Sequence, residues 1–595
     1  MSFQLFNIGL PPALIFIIGA LFIPLLKGKL KSVFMLILPV LAFCTLVCIP
    51  EGKHWVFSLL DYDLILGRVD RLSRVFGYIF SIISFIAVLF ALKVKDDVQH
   101  VSGLMYAGGA LGVTFAGDVF SLYIFWEIMA VASTFLILAR RTKESQSAAY
   151  RYILVHIFGG LCLLAGIALY VHQTGTTEFA YIGLSGLASY LIFLGIAVNA
   201  ALPPLHPWLQ DAYPEATVTG AVFLSAFTTK SAVYVMARTF PGTELLIILG
   251  ALMTAFPIFY AVLENDIRRV LAYSLINQVG FMICGIGIGT ELSINGTVSH
   301  AFCHILYKAL LFMAAGSVLY VTGKIRCTDL GGLYKTMPLT CVFCMVGAAS
   351  ISAFPLFSGF ISKSMIVSAA AHDKLALVWL ILQFASAGVF HHAGIKVPYF
   401  MFFSEDSGIR AKEPPWNMII AMGMAAFLCI FIGVYPQPLY DILPYPVDYV
   451  PYTGDHVVGQ LQLLMFGALA FCLLILSGNY PAEMRAINLD TDWFYRKGAT
   501  VFYKFMDSTL NTINNYAEKL IARRMTAGLA QFAQNAPAKV TLAIIRPLRM
   551  FIGADPESYA ALRTRINRAF ETGTAPIGMS VLAVALFFLL IFLLG

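Results

Sequence analysis

Four ionisable residues lie in the middle of apolar runs. Glu127 sits inside FSLYIFWEIMAVASTFLIL, Lys230 inside FLSAFTTKSAVYVMA, Lys308 inside HAFCHILYKALLFMAAGSV and Lys363 inside FPLFSGFISKSMIVSAA. A charged side chain at the centre of a membrane-spanning helix costs about 2.5–3.5 kcal/mol on insertion scales, and packing alone gives no reason to accept that cost. Residues of this kind mark routes for ions or protons. In HAFCHILYK, His300, His304 and Lys308 recur every fourth position. On a helix they form one stripe rising about 6 Å per step. Imidazole titrates near neutrality and a desolvated lysine approaches that range, so the stripe suits a proton relay through side chains and intervening water. Two other readings of the stripe are a His-x-x-x-His metal site and plain hydrogen bonds between helices. The first lacks a nearby carboxylate, and the second accounts poorly for three such residues in a row.

Other polar residues have simpler roles. Glu127 needs a cationic partner or a neutral form to stay in the membrane, and Lys230 is its candidate partner. Lys363 follows a proline break and could instead snorkel to an interface. His156 in YILVHIFGG suits a hydrogen bond between helices first and a relay second. Arg268 and Arg269 follow Glu264-Asn265-Asp266 and are read as part of a basic loop. Asp70 and Asp118 are read as helix caps. The ten cysteines, including Cys341-x-x-Cys344, lie in apolar runs and are read as small buried hydrophobes rather than metal ligands.

The elements that carry these residues follow from composition. The chain has 595 residues, 59% hydrophobic and only 12% charged, with a net charge of +7 and a mean hydropathy of +0.82. Apolar runs long enough to cross a ~30 Å hydrocarbon layer recur along it, about sixteen in all. The fold class is therefore an all-α polytopic membrane protein. The first run, 8–26, has no basic leader or small-residue cleavage site and is read as a spanning helix rather than a signal peptide. Alternate loops hold Lys27, Lys29 and Lys31; Lys93 and Lys95; Arg140, Arg141 and Lys143; Lys324, Arg326 and Lys335; and Arg410 and Lys412. The positive-inside rule then places the N-terminus outside, with Lys53, Arg68 and Arg71 as the main exception.

Two apolar runs are interrupted, at ALPPLHPWL (201–209) and SAFPLFSGF (352–360). Proline breaks a helix, and freed backbone inside a bilayer survives only where protein or water covers it. A pair of such breaks in corresponding halves points to repeats around a transport path. The expected organisation is N-terminal spans over 1–100, a first repeat over 101–240 and a second over 241–410. Further spans follow over 411–479, then an amphipathic segment over 480–575 and a final span over 576–595.

FWEIM, PPLHPWLQDAYPEA, TTKSAVY, ENDIRRVLAYSLINQVGFM, HAFCHILYKALLFMAAGSV and FPLFSGFISK together resemble the antiporter-like membrane subunits of complex I, membrane-bound hydrogenases and Mrp-type Na+/H+ antiporters. The resemblance covers roughly residues 60–410. It implies a core of about fourteen helices with two inverted five-helix repeats and a mid-membrane line of charged residues. DWFYR at 492–496 leans toward the D-type Mrp subunits, while the long C-terminal segment before a last helix is similar to the largest complex I antiporter-like subunit. One departure stands out: Asn199 occupies the place of the lysine usual on the first broken helix, and asparagine cannot exchange a proton near neutral pH. The first half must then use Lys230 as its protonatable base or be inactive as a proton route, and the second half, which retains His300, His304, Lys308 and Lys363, is the stronger candidate for the proton path.

The resemblance implies an ion- or proton-translocating subunit of a multisubunit cation/proton antiporter in the cell (inner) membrane. Its expected partners are other hydrophobic subunits and H+, with Na+ as a candidate second ion, and it is expected to bind neither cofactor nor nucleic acid. One alternative is the pumping subunit of a complex I-like NADH dehydrogenase or membrane-bound hydrogenase, with the redox sites in other chains. Another is the proton-fed subunit of an inorganic-carbon uptake complex.

Overall fold

The computed structural model describes residues 9–59, 62–481, 483–484, 488–553, 555–571 and 577–594. It divides into two compact units, Met1–Asp492 and Trp493–Gly595. The first opens with α1 (Pro12–Phe22), α2 (Gly28–Cys48), strands β1 (Gly52–Leu59) and β2 (Tyr62–Val69), α3 (Arg71–Ala91), α4 (Asp97–Phe115), α5 (Val119–Leu138) and α6 (Lys143–Thr174). Then come α7 (Gly186–Asn199), α8 (Pro207–Ala212), α9 (Gly220–Ala226), α10 (Thr228–Thr239), α11 (Glu244–Leu263), α12 (Ile267–Ile288) and α13 (Glu291–Thr322). The unit ends with α14 (Pro338–Ile351), α15 (Ser358–His372), α16 (Ala376–Val389), α17 (Trp416–Val434), α18 (Gln437–Tyr440) and α19 (Gly454–Leu476). Among the described residues, eleven helices are long and apolar enough to cross a membrane unaided. That is fewer than the sixteen apolar runs: Pro12–Leu25, α7 and α14 are shorter apolar helices, the last two cut short at breaks. The amphipathic segment is helical at α20 (Asp492–Ala517), α21 (Thr526–Phe551) and α22 (Pro556–Glu571), and the last helix is α23 (Ile577–Leu594).

The antiparallel hairpin β1–β2 is an addition to the all-α expectation. It explains the misplaced positive charges. Arg68 donates to the Phe179 carbonyl and Asp118 accepts from the Ile65 amide at 2.7 Å, so these residues tie the hairpin to the loop before α5 and the loop after α6. Asp70 and Asp118 do cap helices: Asp70 accepts from the Ser73 amide, and Asp118 from the amides of Phe120 and Ser121.

The two breaks share one backbone design. Ala201 and Ala353 both sit in the left-handed region at φ 56°. The next amide donates back five residues, Leu202 to Ala197 at 3.1 Å and Phe354 to Ala349 at 3.0 Å. This is the Schellman way of ending a helix, built on alanine where glycine is usual. A non-glycine residue there costs about 1–2 kcal/mol.

Candidate functional site

The breaks create free carbonyls inside the bilayer, and buried lysines cover them. Lys363 on α15 reaches back to the Ile351 carbonyl at 2.9 Å, at the C-terminal end of α14. Lys230 on α10 does the same across the α9–α10 interruption, donating to Ser225 at 2.6 Å. Lys396 ends the π-helical stretch Phe390–Lys396 that continues α16. It donates to the carbonyls of Val262 at 2.6 Å and Glu264 at 2.8 Å and pairs with Glu483 at 2.8 Å. A cation at a helix C-terminus meets the negative end of the helix dipole and satisfies carbonyls that lack a helical partner.

Lys308 is different. It lies in the unbroken α13, is 0% exposed, and its ammonium has no hydrogen-bond partner among the described residues. One turn earlier both nitrogens of His304 are equally without partners. The rings of His304 and His300 lie 6.2 Å apart, and His300 Nδ1 is 3.1 Å from Ser362 Oγ on α15. Tyr307 donates to Gln278 at 3.1 Å. The stripe read from the sequence is thus a buried polar file whose His300 end meets Ser362 on α15, the helix that also carries Lys363. Unpaired buried polar atoms of this density call for bound water.

Lys363 does not snorkel: it is 2% exposed. Beyond it a cavity of about 440 Å³ is lined by Ser364, Gln383, Asp455, His456 and Gln460. Asp455 and His456 begin α19, after loop 437–453, which has no Lys or Arg. The cavity therefore lies toward the face opposite the basic loops.

The first half is arranged otherwise. Asn199 Oδ1 and His156 Nδ1 share a hydrogen bond of 2.7 Å, as expected for a histidine tying two helices together. The imidazole packs at an angle against Tyr152 and edge-on against Trp208, with centroids 4.1 and 4.7 Å away. Glu127 and Lys230 form no ion pair within 4.0 Å among the described residues. Glu127 is half-buried. Its carboxylate lies so close to Gly160 of α6 that a Cβ there would stand 2.0 Å from Oε1. Arg268 is not part of a loop: it lies in the first turn of α12, buried, donating to the carbonyls of Tyr213, Ala216 and Thr217 at 3.0–3.3 Å. The Asp266 cap starts α12 early enough to carry the guanidinium under the end of the first broken helix.

Four residues escaped the sequence reading. His392 and Lys396 stand at the end of an apolar run, where a π-turn prolongs the helix past the point at which apolar character fades. Glu483 and Asp490 lie in a polar stretch after α19, within the first unit, and pair with Lys396 and His206 of its helical core. Asp490 accepts from Gln210 at 2.7 Å and Tyr273 at 3.2 Å and lies 3.1 Å from His206 Nε2. Burial alone would raise its carboxyl, but the hydrogen bond and charge of His206, with the Thr491 amide and Tyr273, hold it below the usual carboxylate range. Only the composition of 201–209, a histidine beside a proline break, gave a sequence signal for that pairing.

Comparison with known proteins agrees with this architecture. Residues 116–389 match the family described as NADH:quinone oxidoreductase/Mrp antiporter, TM. The D subunit of the Na+/H+ antiporter of Alkalihalophilus pseudofirmus is 28% identical over 353 residues, covering 56% of this chain and 72% of that protein. The A subunit from the same organism is 26% identical over 587 residues, covering 86% and 72%. Among solved structures, an archaeal membrane-bound sulfane sulfur reductase is 28% identical with a TM-score of 0.65, over 76% of this chain and 98% of that one. The Mrp complex from Dietzia sp. shares the fold at 23% identity and a TM-score of 0.74, over 90% of this chain and 62% of that one. The match spans every residue from Glu127 to Lys363, so the part of the chain that holds the candidate site is similar to the membrane segments of NADH:quinone oxidoreductases and Mrp antiporters.

Proposed function

We propose that this chain is the ion- and proton-translocating membrane subunit of a multisubunit cation/proton antiporter, with protons relayed through its second half by His300, His304, Lys308 and Lys363. One observation carries the reading. Lys230, Lys363 and Lys396 each donate to a helix-end carbonyl, whereas Lys308 and the adjacent His304 are fully buried with no partner among the described residues. A group that builds nothing, and is desolvated, is suited to gaining and losing a proton. In this reading the basic-loop face is cytoplasmic, the N-terminus is outside and the membrane is the cell (inner) membrane. With Asn199 in place of a lysine, the first half supports the second without relaying protons through that position. Na+ is the counter-ion favoured by the relatives' names.

Lys308→Ala in the assembled complex tests this. Na+-dependent ΔpH formation in vesicles is expected to fall by roughly a hundredfold, the scale of removing a proton-transfer group, while co-purification of the other subunits stays normal. Undiminished ΔpH formation would overturn the relay. The second reading, a pumping subunit of a redox-driven complex, is favoured by the likeness that covers 98% of a chain from the archaeal sulfane sulfur reductase. Iron–sulfur or flavin proteins co-purifying with the native chain would select it; small hydrophobic subunits alone would select the antiporter.

A further inference from the structure

The Asn277-Gln278 pair of SLINQVGFM has no part in the relay as described, yet with Tyr307 it forms a hydrogen-bond chain whose direction is fixed from one end. The chain starts on α11 at the Thr254 carbonyl, which can only accept, and the Asn277 side-chain amide donates to it. Asn277 Oδ1 then faces onward and takes the Gln278 amide nitrogen at 2.6 Å. Gln278 Oε1 is left as an acceptor, and the Tyr307 hydroxyl fills it with its one proton at 3.1 Å. All four residues are fully buried, so bulk water does not compete for these bonds. The consequence falls on His300. Its Nε2 lies 3.5 Å from the Tyr307 oxygen, its only hydrogen-bond partner among the described residues. Because Tyr307 has committed its proton to Gln278, it can only accept here, and Nε2 must carry a hydrogen. The other nitrogen meets a different kind of group. Nδ1 lies 3.1 Å from Ser362 Oγ, and the Ser362 hydroxyl has a second acceptor in the Ser358 carbonyl, 3.1 Å away and one turn back on α15. A hydroxyl rotates to suit its neighbours. This one can donate to a bare Nδ1, or turn to Ser358 and accept from a protonated one.

We infer that Asn277, Gln278 and Tyr307 are positioning residues that fix the tautomer of His300, holding a hydrogen on Nε2 and leaving Nδ1, beside Ser362, as the atom that gains and loses the transported proton. The inference rests on the proton-relay reading and narrows it. His300 does not pass protons through its ring, in at one nitrogen and out at the other; it loads and unloads at Nδ1. In the loading step a hydronium ion gives a proton to Ser362 Oγ while the hydroxyl proton of Ser362 moves to Nδ1. One O–H bond breaks in the hydronium, one forms and one breaks at Ser362, and one N–H bond forms, leaving water and an imidazolium. The Ser362 hydroxyl then turns to the Ser358 carbonyl, and unloading is the reverse. Tyr307 also stands edge-on against the ring of His304, with centroids 5.2 Å apart, so it occupies the side from which Nε2 would meet the next imidazole. The His300 and His304 rings, 6.2 Å apart, therefore exchange protons through water rather than directly.

A plainer account is that the chain only ties α11, α12 and α13 together. Such a tie has no preference between the nitrogens of His300, whereas a chain with a fixed direction does. Solid-state NMR of the whole complex in lipid vesicles, with nitrogen-labelled histidine and carbon-labelled serine, separates the two without any variant. His300 is the only histidine hydrogen-bonded to a serine among the described residues, so transfer between Nδ1 and a serine carbon picks out its signal. With the imidazole neutral, Nε2 is expected to carry the hydrogen and Nδ1 to be bare. A bare Nε2, or an even mixture of the two tautomers, would overturn the inference.

Gln278→Leu supplies the second readout. It removes the acceptor that holds the Tyr307 proton, so the hydroxyl is released to donate to Nε2. The tautomer with its hydrogen on Nδ1 is then expected to gain by about two- to tenfold, the equilibrium effect of one hydrogen bond, and ΔpH formation to slow by a similar factor. A Gln278→Leu complex that assembles and transports slowly but keeps the wild-type tautomer would show a structural tie and overturn the inference. Where that variant fails to assemble, the tautomer in the unmodified complex decides. Lys308→Ala reports separately on the relay: if it is active the relay itself falls, and if it is inactive a wrong tautomer at His300 removes only the positioning role of the chain.

Discussion

Replacing Gly359 with alanine should damage the second break and the relay together. Gly359 is the second residue of α15, and a Cβ built on it would stand 1.8 Å from the Ser350 carbonyl oxygen and 3.0 Å from its carbon. Both are backbone atoms and cannot swing away. A tolerable C···O contact is about 3.3 Å, so α15 and the end of α14 must part by about 1.5 Å. Lys363, four residues along α15, moves with them, and its 2.9 Å bond to Ile351 is stretched out of range. Overpacking costs about 1–3 kcal/mol and a lost hydrogen bond from a charged group about 1.5–3 kcal/mol, so the total is roughly 3–6 kcal/mol. A shift of this size near a transfer site also slows the reaction by about a hundredfold. The assay pairs thermal unfolding, followed with a dye that reacts with the buried Cys303, Cys344 and Cys429 as they become exposed, with ΔpH formation in vesicles. Gly454→Ala is the control, since nothing lies within 4 Å of its Cβ position. If Gly359→Ala unfolds at the same temperature as the control and transports normally, the argument from close backbone approach is wrong.

Two further outcomes follow from the basic face. Asp490 has a carboxyl held below its unfolded value, so its contribution to docking of the segment after α19 is fully present above about pH 4 and is lost as pH falls through the lower folded value. Hydrogen exchange at 488–491 should therefore rise on acidification in the wild type, and the difference from Asp490→Asn should shrink to nothing over the same range. An unchanged difference would show that the carboxylate is not what docks the segment. Arg268→Leu removes the donor to three carbonyls at the end of the first broken helix and should lower stability by roughly 2–4 kcal/mol. Arg268→Lys should recover part of it, and equal unfolding temperatures for Leu and wild type would refute the tie.

The sequence alone determined the membrane class, the two breaks and the His300–His304–Lys308 stripe. Each of these rests on local rules: a hydrocarbon layer needs apolar runs, proline cannot continue a helix, and residues four apart share a helix face. Tertiary structure decided what each buried charge does. No local rule separates Lys308 from Lys230, Lys363 or Lys396, because the difference is whether another helix brings a free carbonyl within reach. The same holds for Arg268, which reads as loop charge until the end of the first broken helix is seen above it. Glu483 and Asp490 were illegible for the same reason: their partners, Lys396 and His206, lie 87 and 284 positions away. Pairing at that distance is set by how the helices pack, and neither apolar periodicity nor residue spacing encodes it.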